Sequence, residues 1–274
     1  MKLRVIATGL PHILTELTLA VCCFAEPEAV GPLTEMQVRK NRHVAVDAPK
    51  YATYAILSDN AYARNIPLPL PPGWTKVKER RLPENGLALT VYELRANEKL
   101  AEVVVAFCGT DESKDWIQNL APFYRIQVPP AEKMFSDILT NYKDGGARIV
   151  VTGHSLGGGL AFHMSFVHHD VEAIVFNSSP VTKAGMKVLK NKRTSIWESG
   201  EGLQAPRNVV NFARVRWRGV KRVEVRFLHG SPVRQHSMTL LALNLTKLAA
   251  LGSPEHQALL ETYRQNLRRA LREG

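Results

Sequence analysis

The stretch Ala147-Arg-Ile-Val-Val-Thr152, continued without a break by Gly153-His154-Ser155-Leu156-Gly157, restricts the possible folds of this chain more than any other segment. Its apolar, β-branched run reads as a strand buried on both faces. The small residues that follow, from about Leu156 to His168, read as a helix. A buried strand turning directly into a helix belongs to an α/β layer architecture, and the flanking segments repeat the alternation. Leu87–Leu94 and Ala101–Phe107 read as strands, Ala131–Tyr142 as a helix and Glu172–Asn177 as a further strand. Continuous apolar strands alternating with helices predict a mostly parallel central sheet with helices on both faces.

The turn itself carries the chemistry. A serine with a glycine two residues to either side suits a nucleophile held on a sharp, strained strand-to-helix turn. The glycines let the neighbouring strand and helix approach closely. The start of the helix, with N–H groups at Leu156 and Gly157, can stabilise negative charge on a tetrahedral intermediate. Ser155 is therefore the candidate nucleophile and Leu156 N–H a candidate oxyanion donor.

A second block lies upstream: Val103-Val-Val-Ala-Phe-Cys-Gly-Thr110, then Asp115-Trp116 and Asn119-Leu120. Together with Ile149-Val-Val-Thr-Gly-His-Ser-Leu-Gly-Gly-Gly-Leu-Ala161, it resembles the class 3 lipases of the α/β-hydrolase superfamily, over roughly residues 51–240. The resemblance implies an α/β-hydrolase fold and a carboxylester hydrolase of lipase or phospholipase type. It assigns Thr110 N–H to the second half of the oxyanion hole. Cys108 stands where the family has an arginine; ending an apolar strand with no basic neighbour, it reads as a buried small hydrophobe.

Serine hydrolases of this kind place their residues in the order Ser, acid, His. His163, His168 and His169 fall on or at the end of the nucleophile helix, and His256 in the first turn of the closing helix. His229 and His236 share a loop, and Gln235-His236-Ser237-Met238, before an apolar helix, is more similar to the family's histidine segment. His236 is the expected base, with His229 as fallback. No aspartate lies between Asp170 and His236. Aligning the short strand Thr194–Trp197 with the family puts Glu201 at the acid position, with Glu198 as rival, whereas Glu224 among arginines suits an ion pair. The chemistry needs no cofactor or metal, and His168-His169-Asp170 diverge too far on a helix to chelate one.

Net charge bears on partners. Lys and Arg number 36 against 25 Asp and Glu, a formal charge of +11. Much of it falls in Arg207–His229, where Arg214, Arg216, Arg218, Arg222 and Arg226 alternate with apolar residues around Gly219, which reads as a β-hairpin with one basic face. Such a face suits an anionic membrane surface, and no nucleic acid is expected. The segment Glu112–Pro130, rich in aromatic and aliphatic residues, lies where the family carries its lid. A non-catalytic pseudo-hydrolase or a basic anion-binding protein are the alternatives; the latter leaves Ser155, Thr110 and Asp115-Trp116 without a role.

The ends complete the organisation. Lys2 and Arg4 precede an apolar run to Ala25, a signal-like or lipoprotein-like leader with Cys22 as a candidate for acylation. It points to the cell envelope or secretion, and to the cytoplasm if the leader is not a signal. Pro11, His12 and Glu16 interrupt the run, so it is a poor membrane span. Residues 26–50 read as a linker or surface wrap and 51–274 as the hydrolase-like domain. Ser253 and Pro254 open a closing helix whose Leu259, Tyr263, Leu267 and Leu271 share one face.

Overall fold

A computed structural model of the protein describes residues 31–109, 116–142, 145–180, 191–214 and 219–273. The leader-like residues, Cys22 among them, lie outside the described residues. In chain order the elements are α1 (Glu35–Lys40), α2 (Ala48–Asp59), β1 (Trp74–Leu82), β2 (Leu87–Ala96), β3 (Lys99–Phe107) and α3 (Trp116–Tyr142). They continue with β4 (Arg148–His154), α4 (Ser155–Val167), β5 (Val171–Phe176), β6 (Arg193–Glu198) and α5 (Gln204–Arg214). The last are β7 (Val220–Val225), α6 (Pro232–Gln235), α7 (Met238–Ala250) and α8 (Pro254–Glu273).

The seven strands form one sheet in sequence order. β1, β2 and β3 pair antiparallel. The β2–β3 connection is a two-residue turn whose Asn97 and Glu98 both have positive φ, the backbone a tight hairpin requires. From β3 to β7 every pair is parallel. Successive right-handed crossovers in one direction put their helices on one face. There α3 and α4 bury Phe135, Ile138, Leu160 and Met164 against Val103, Val105, Phe107, Val151 and Val175. The opposite face takes α2, which packs on β3, β4 and β5 and on α7. Tyr54 of α2 fixes that contact, its hydroxyl donating to Glu102 at 2.6 Å. The predicted mostly parallel sheet with helices on both faces is present.

Three expectations change. The basic hairpin expected over Arg207–His229 is not seen among the described residues: Gln204–Arg214 is a helix, and β7 pairs in parallel with β6. The segment is a strand–helix–strand crossover, and its apparent alternation hides a helix whose Arg207 is buried while Val209 is 69% exposed. Arg216 and Arg218 lie outside the described residues, as does the side chain of Arg214; Arg222 and Arg226 are exposed on and just beyond β7. The helix expected from Ala131 begins at Trp116 and runs through Pro129 and Pro130. Of the segment expected as a lid, Glu112–Asp115 and the side chains up to Arg125 lie outside the described residues, whereas Gln127 and Val128 are buried, Gln127 donating to Asn85 O at 2.7 Å. Leu271 is 57% exposed and leaves the closing helix's apolar face to Leu259, Tyr263 and Leu267.

Residues 34–47 are a wrap, not a linker. Among the described residues β7 pairs only with β6, so its outer edge presents bare peptide groups. Polar side chains from the wrap satisfy them: Asn41 Oδ1 accepts from Arg226 N at 2.8 Å, His43 Nε2 donates to Glu224 O at 2.9 Å, and Gln37 Nε2 donates to Phe227 O at 2.6 Å. The compact unit accordingly begins at Leu33.

Candidate active site

Ser155 is the first residue of α4, immediately after the last residue of β4, with φ +55°. A non-glycine residue there carries strain on the order of 1–3 kcal/mol, which the surroundings must impose. They do so from several sides. Ser179 N–H donates to the Ser155 carbonyl at 2.8 Å. A Cβ on Gly153 would lie 2.6 Å from the Gly157 carbonyl group, and one on Gly157 would lie 2.7 Å from the Cys108 carbonyl oxygen. Both motif glycines are thus required by close approach of β3, β4 and α4. Gly109 is equally constrained: a Cβ there would lie 2.7 Å from His154 O and 3.3 Å from Ser155 Cβ. The end of the β3 segment therefore lies against the serine turn. Thr110, the next residue, lies outside the described residues. Leu156 is buried in the first turn of α4, where an N–H has no partner within the helix. Cys108 is a buried thiol, its N–H bonded to Ala88 O at 2.9 Å.

His236 caps the short helix α6 just before α7 and is buried. Its ring lies against that of His154, the residue before Ser155, with centroids 4.5 Å apart. Nδ1 is 2.7 Å from Glu201 Oε2. A carboxylate only accepts, so Nδ1 carries the proton and donates it to Glu201. Glu201 sits in the turn between β6 and α5, and the same oxygen accepts Leu203 N–H at 2.8 Å. Its other oxygen pairs with the guanidinium of Arg207. Burial alone would raise the pKa of this carboxyl; the His236 hydrogen bond and the Arg207 charge outweigh it and hold the group below its usual range.

The alternatives lie elsewhere. Glu198 ends β6, fully buried, and its Oε1 accepts Leu228 N–H at 2.9 Å rather than a histidine. Burial pushes its pKa up to about 8. His229 is exposed, and its carbonyl accepts from Arg234 at 2.9 Å. His163 pairs with Glu132 and His256 with Ser253. Glu224 pairs with Arg226 at 3.0 Å, as its position among arginines implied.

Sequence reasoning missed three supporting residues. Asn177, φ +40° after β5, donates Nδ2 to the His236 carbonyl at 3.4 Å and accepts Glu198 N–H at 2.9 Å. Tyr62 hydroxyl bonds His154 Nδ1 at 2.8 Å. Arg207, which opens the segment that reads as a basic hairpin, is buried against Glu201. Asn177 and Tyr62 carry no sequence signal because each acts through a partner distant in the chain, and Arg207 carries none because a charged residue gives no sign that it faces inward.

A family model described as a Tle-like phospholipase domain matches residues 53–195, just over half of the chain. The match contains Thr110, Ser155 and Leu156 and ends before Glu201 and His236. No curated protein matches the sequence significantly. Among solved structures, a lipase from Rhizopus microsporus var. chinensis is 17% identical, covering 63% of this chain and 72% of its own with a TM-score of 0.40. A triacylglycerol lipase from Penicillium expansum is 15% identical, covering 70% and 82% with a TM-score of 0.45. A hyperthermophilic esterase from the archaeon Pyrobaculum calidifontis is 13% identical, covering 92% and 100% with a TM-score of 0.39. The chain belongs to the phospholipase-like family of Tle-like phospholipase domains.

Proposed function

We propose that this protein is a serine carboxylester hydrolase acting on lipid esters, with phospholipids as the substrate class that the family points to. The observation that carries the reading is the buried Glu201–His236 pair, 2.7 Å apart, set against the strained Ser155 turn. His236 Nε2 takes the Ser155 hydroxyl proton as Oγ attacks the ester carbonyl. Glu201 holds the imidazole in the Nδ1–H tautomer and stabilises the imidazolium that forms. Leu156 N–H, with Thr110 N–H as the partner implied by the class 3 lipases, receives the oxyanion. His236 then returns the proton to the leaving alcohol, and water attacks the acyl-enzyme with His236 again as base. The exposed Arg222 and Arg226 favour an anionic lipid surface as the place of action.

The test is hydrolysis of phospholipid vesicles and of p-nitrophenyl esters of graded chain length by wild type, Ser155→Ala and His236→Ala. Both variants are expected to lose at least about 1,000-fold in kcat while remaining folded. Full turnover by Ser155→Ala would remove the reading. A pseudo-hydrolase would show no turnover even in the wild type.

A further inference from the structure

Arg207 is a charge that the catalytic reading does not use. It stands on α5, 1% exposed, and an arginine so deeply buried is stable only if its charge and donors are matched. One arm of the guanidinium pairs with Glu201 Oε1, the oxygen that His236 does not use. Nη1 donates to Ser178 O at 2.8 Å. The guanidinium carbon lies 5.4 Å from the ring centre of Trp197, on β6. Ser178 is the residue before Ser179, whose N–H holds the Ser155 carbonyl, and it packs on the nucleophile helix, where a Cβ on Gly158 would approach Ser178 Cβ to 2.8 Å. One planar side chain therefore spans two segments: the turn that presents the acid and the loop that clamps the nucleophile.

We propose that Arg207 is the positioning residue of this site, its fork fixing Glu201 against His236 and fastening the acid turn to the segment that anchors Ser155. The proposal rests on the hydrolase reading above. The glutamate is what makes the arrangement possible: its length lets one oxygen meet His236 and the Leu203 N–H while the other reaches back to the arginine. The positive charge has a second consequence. Together with the His236 hydrogen bond, it holds the Glu201 carboxyl below its usual range against the effect of burial, and so opposes protonation of the acid.

The experiment is the pH profile of kcat/KM for wild type, Arg207→Met and Arg207→Lys on a soluble short-chain ester. Methionine keeps much of the volume and removes the charge. Protonation of Glu201 then becomes easier, so the acidic limb is expected to move up by about one pH unit, with kcat at its plateau about 10- to 100-fold lower. Lysine keeps the charge but lacks the fork, so the limb is expected to stay in place while kcat falls about 10-fold. An Arg207→Met enzyme whose limb coincides with that of wild type would overturn the proposal, because a merely structural arginine lowers the rate without moving the limb. If Arg207→Met does not fold, Arg207→Gln takes its place under the same criterion: a limb that moves up supports the proposal, and a limb that coincides with that of wild type overturns it. Ser155→Ala assayed alongside separates the two readings, since full turnover there removes the hydrolase assignment whatever Arg207 does.

Discussion

His154 Nε2 lies 2.7 Å from the backbone carbonyl oxygen of His236. A carbonyl only accepts, so Nε2 carries the proton and Nδ1 is left to accept from the Tyr62 hydroxyl at 2.8 Å. Burial, then the charge of His236, holds the His154 pKa well below the usual histidine range, so the ring stays neutral in this tautomer. The residue before the serine thus grips the main chain of the proposed base. Replacing it by alanine leaves the Tyr62 hydroxyl and the carbonyl without this partner. His154→Ala is expected to cost about 1–3 kcal/mol in urea unfolding and to lower kcat about 10-fold; Tyr62→Phe should show a smaller loss of the same sign.

Glu198 gives a pH signature in stability. Its folded pKa of about 8 lies above the model-compound value of 4.5, chiefly through burial. The folded protein keeps a proton that the unfolded chain releases, so the contribution is complete below about pH 4.5 and is lost as pH rises to about 8. Glu198→Gln, which stays neutral throughout, is expected to flatten this decline and to exceed wild-type stability by a few kcal/mol at pH 8.5. Denaturant midpoints between pH 5 and 8.5 check it; parallel curves for the two proteins would contradict it.

Gly153 and Gly157 are required by contact rather than by chain flexibility. A methyl group on Gly153 would press on the Gly157 carbonyl at 2.6 Å, where backbone meets backbone and neither can yield cheaply. Gly153→Ala is expected to destabilise the fold by about 1–3 kcal/mol or more and to displace Ser155. Thermal unfolding and probe labelling of the same sample measure the two effects separately.

At Glu201 length and charge can be told apart. Glu201→Gln keeps the length, removes the charge and presents Arg207 with an uncharged group; kcat is expected to fall about 100- to 10,000-fold. Glu201→Asp keeps the charge but is one methylene shorter, so it cannot reach both His236 and Arg207, and a loss of about 10- to 100-fold is expected. An aspartate variant equal to wild type would show that the two-sided grip is unnecessary.

The parts of this molecule that can be read from sequence are those fixed by neighbours in the chain. The strand–serine–helix turn is legible because β4 is continuously apolar and the motif glycines mark where backbones must meet. The parallel sheet follows from the same pattern in β3 and β5. The segment after Glu201 was not legible, because α5 reverses the usual rule: Arg207 points inward to a carboxylate and Val209 outward to solvent. Helical spacing cannot be recognised when the buried residue is the charged one. Choosing between Glu198 and Glu201 also needs three dimensions, since both follow the same short strand and only Glu201 meets the histidine. The wrap at residues 34–47 looks like a linker because its role, covering the open edge of β7, is performed by polar side chains.

The central claim is that Ser155 is an activated nucleophile, and covalent labelling reads it most directly. Wild-type protein treated with a fluorophosphonate should gain one adduct, located by peptide mass spectrometry at Ser155. His236→Ala should label at least about 100-fold more slowly, and Ser155→Ala not at all. Labelling at another residue, or a wild-type protein that does not react while still folded, would contradict the account.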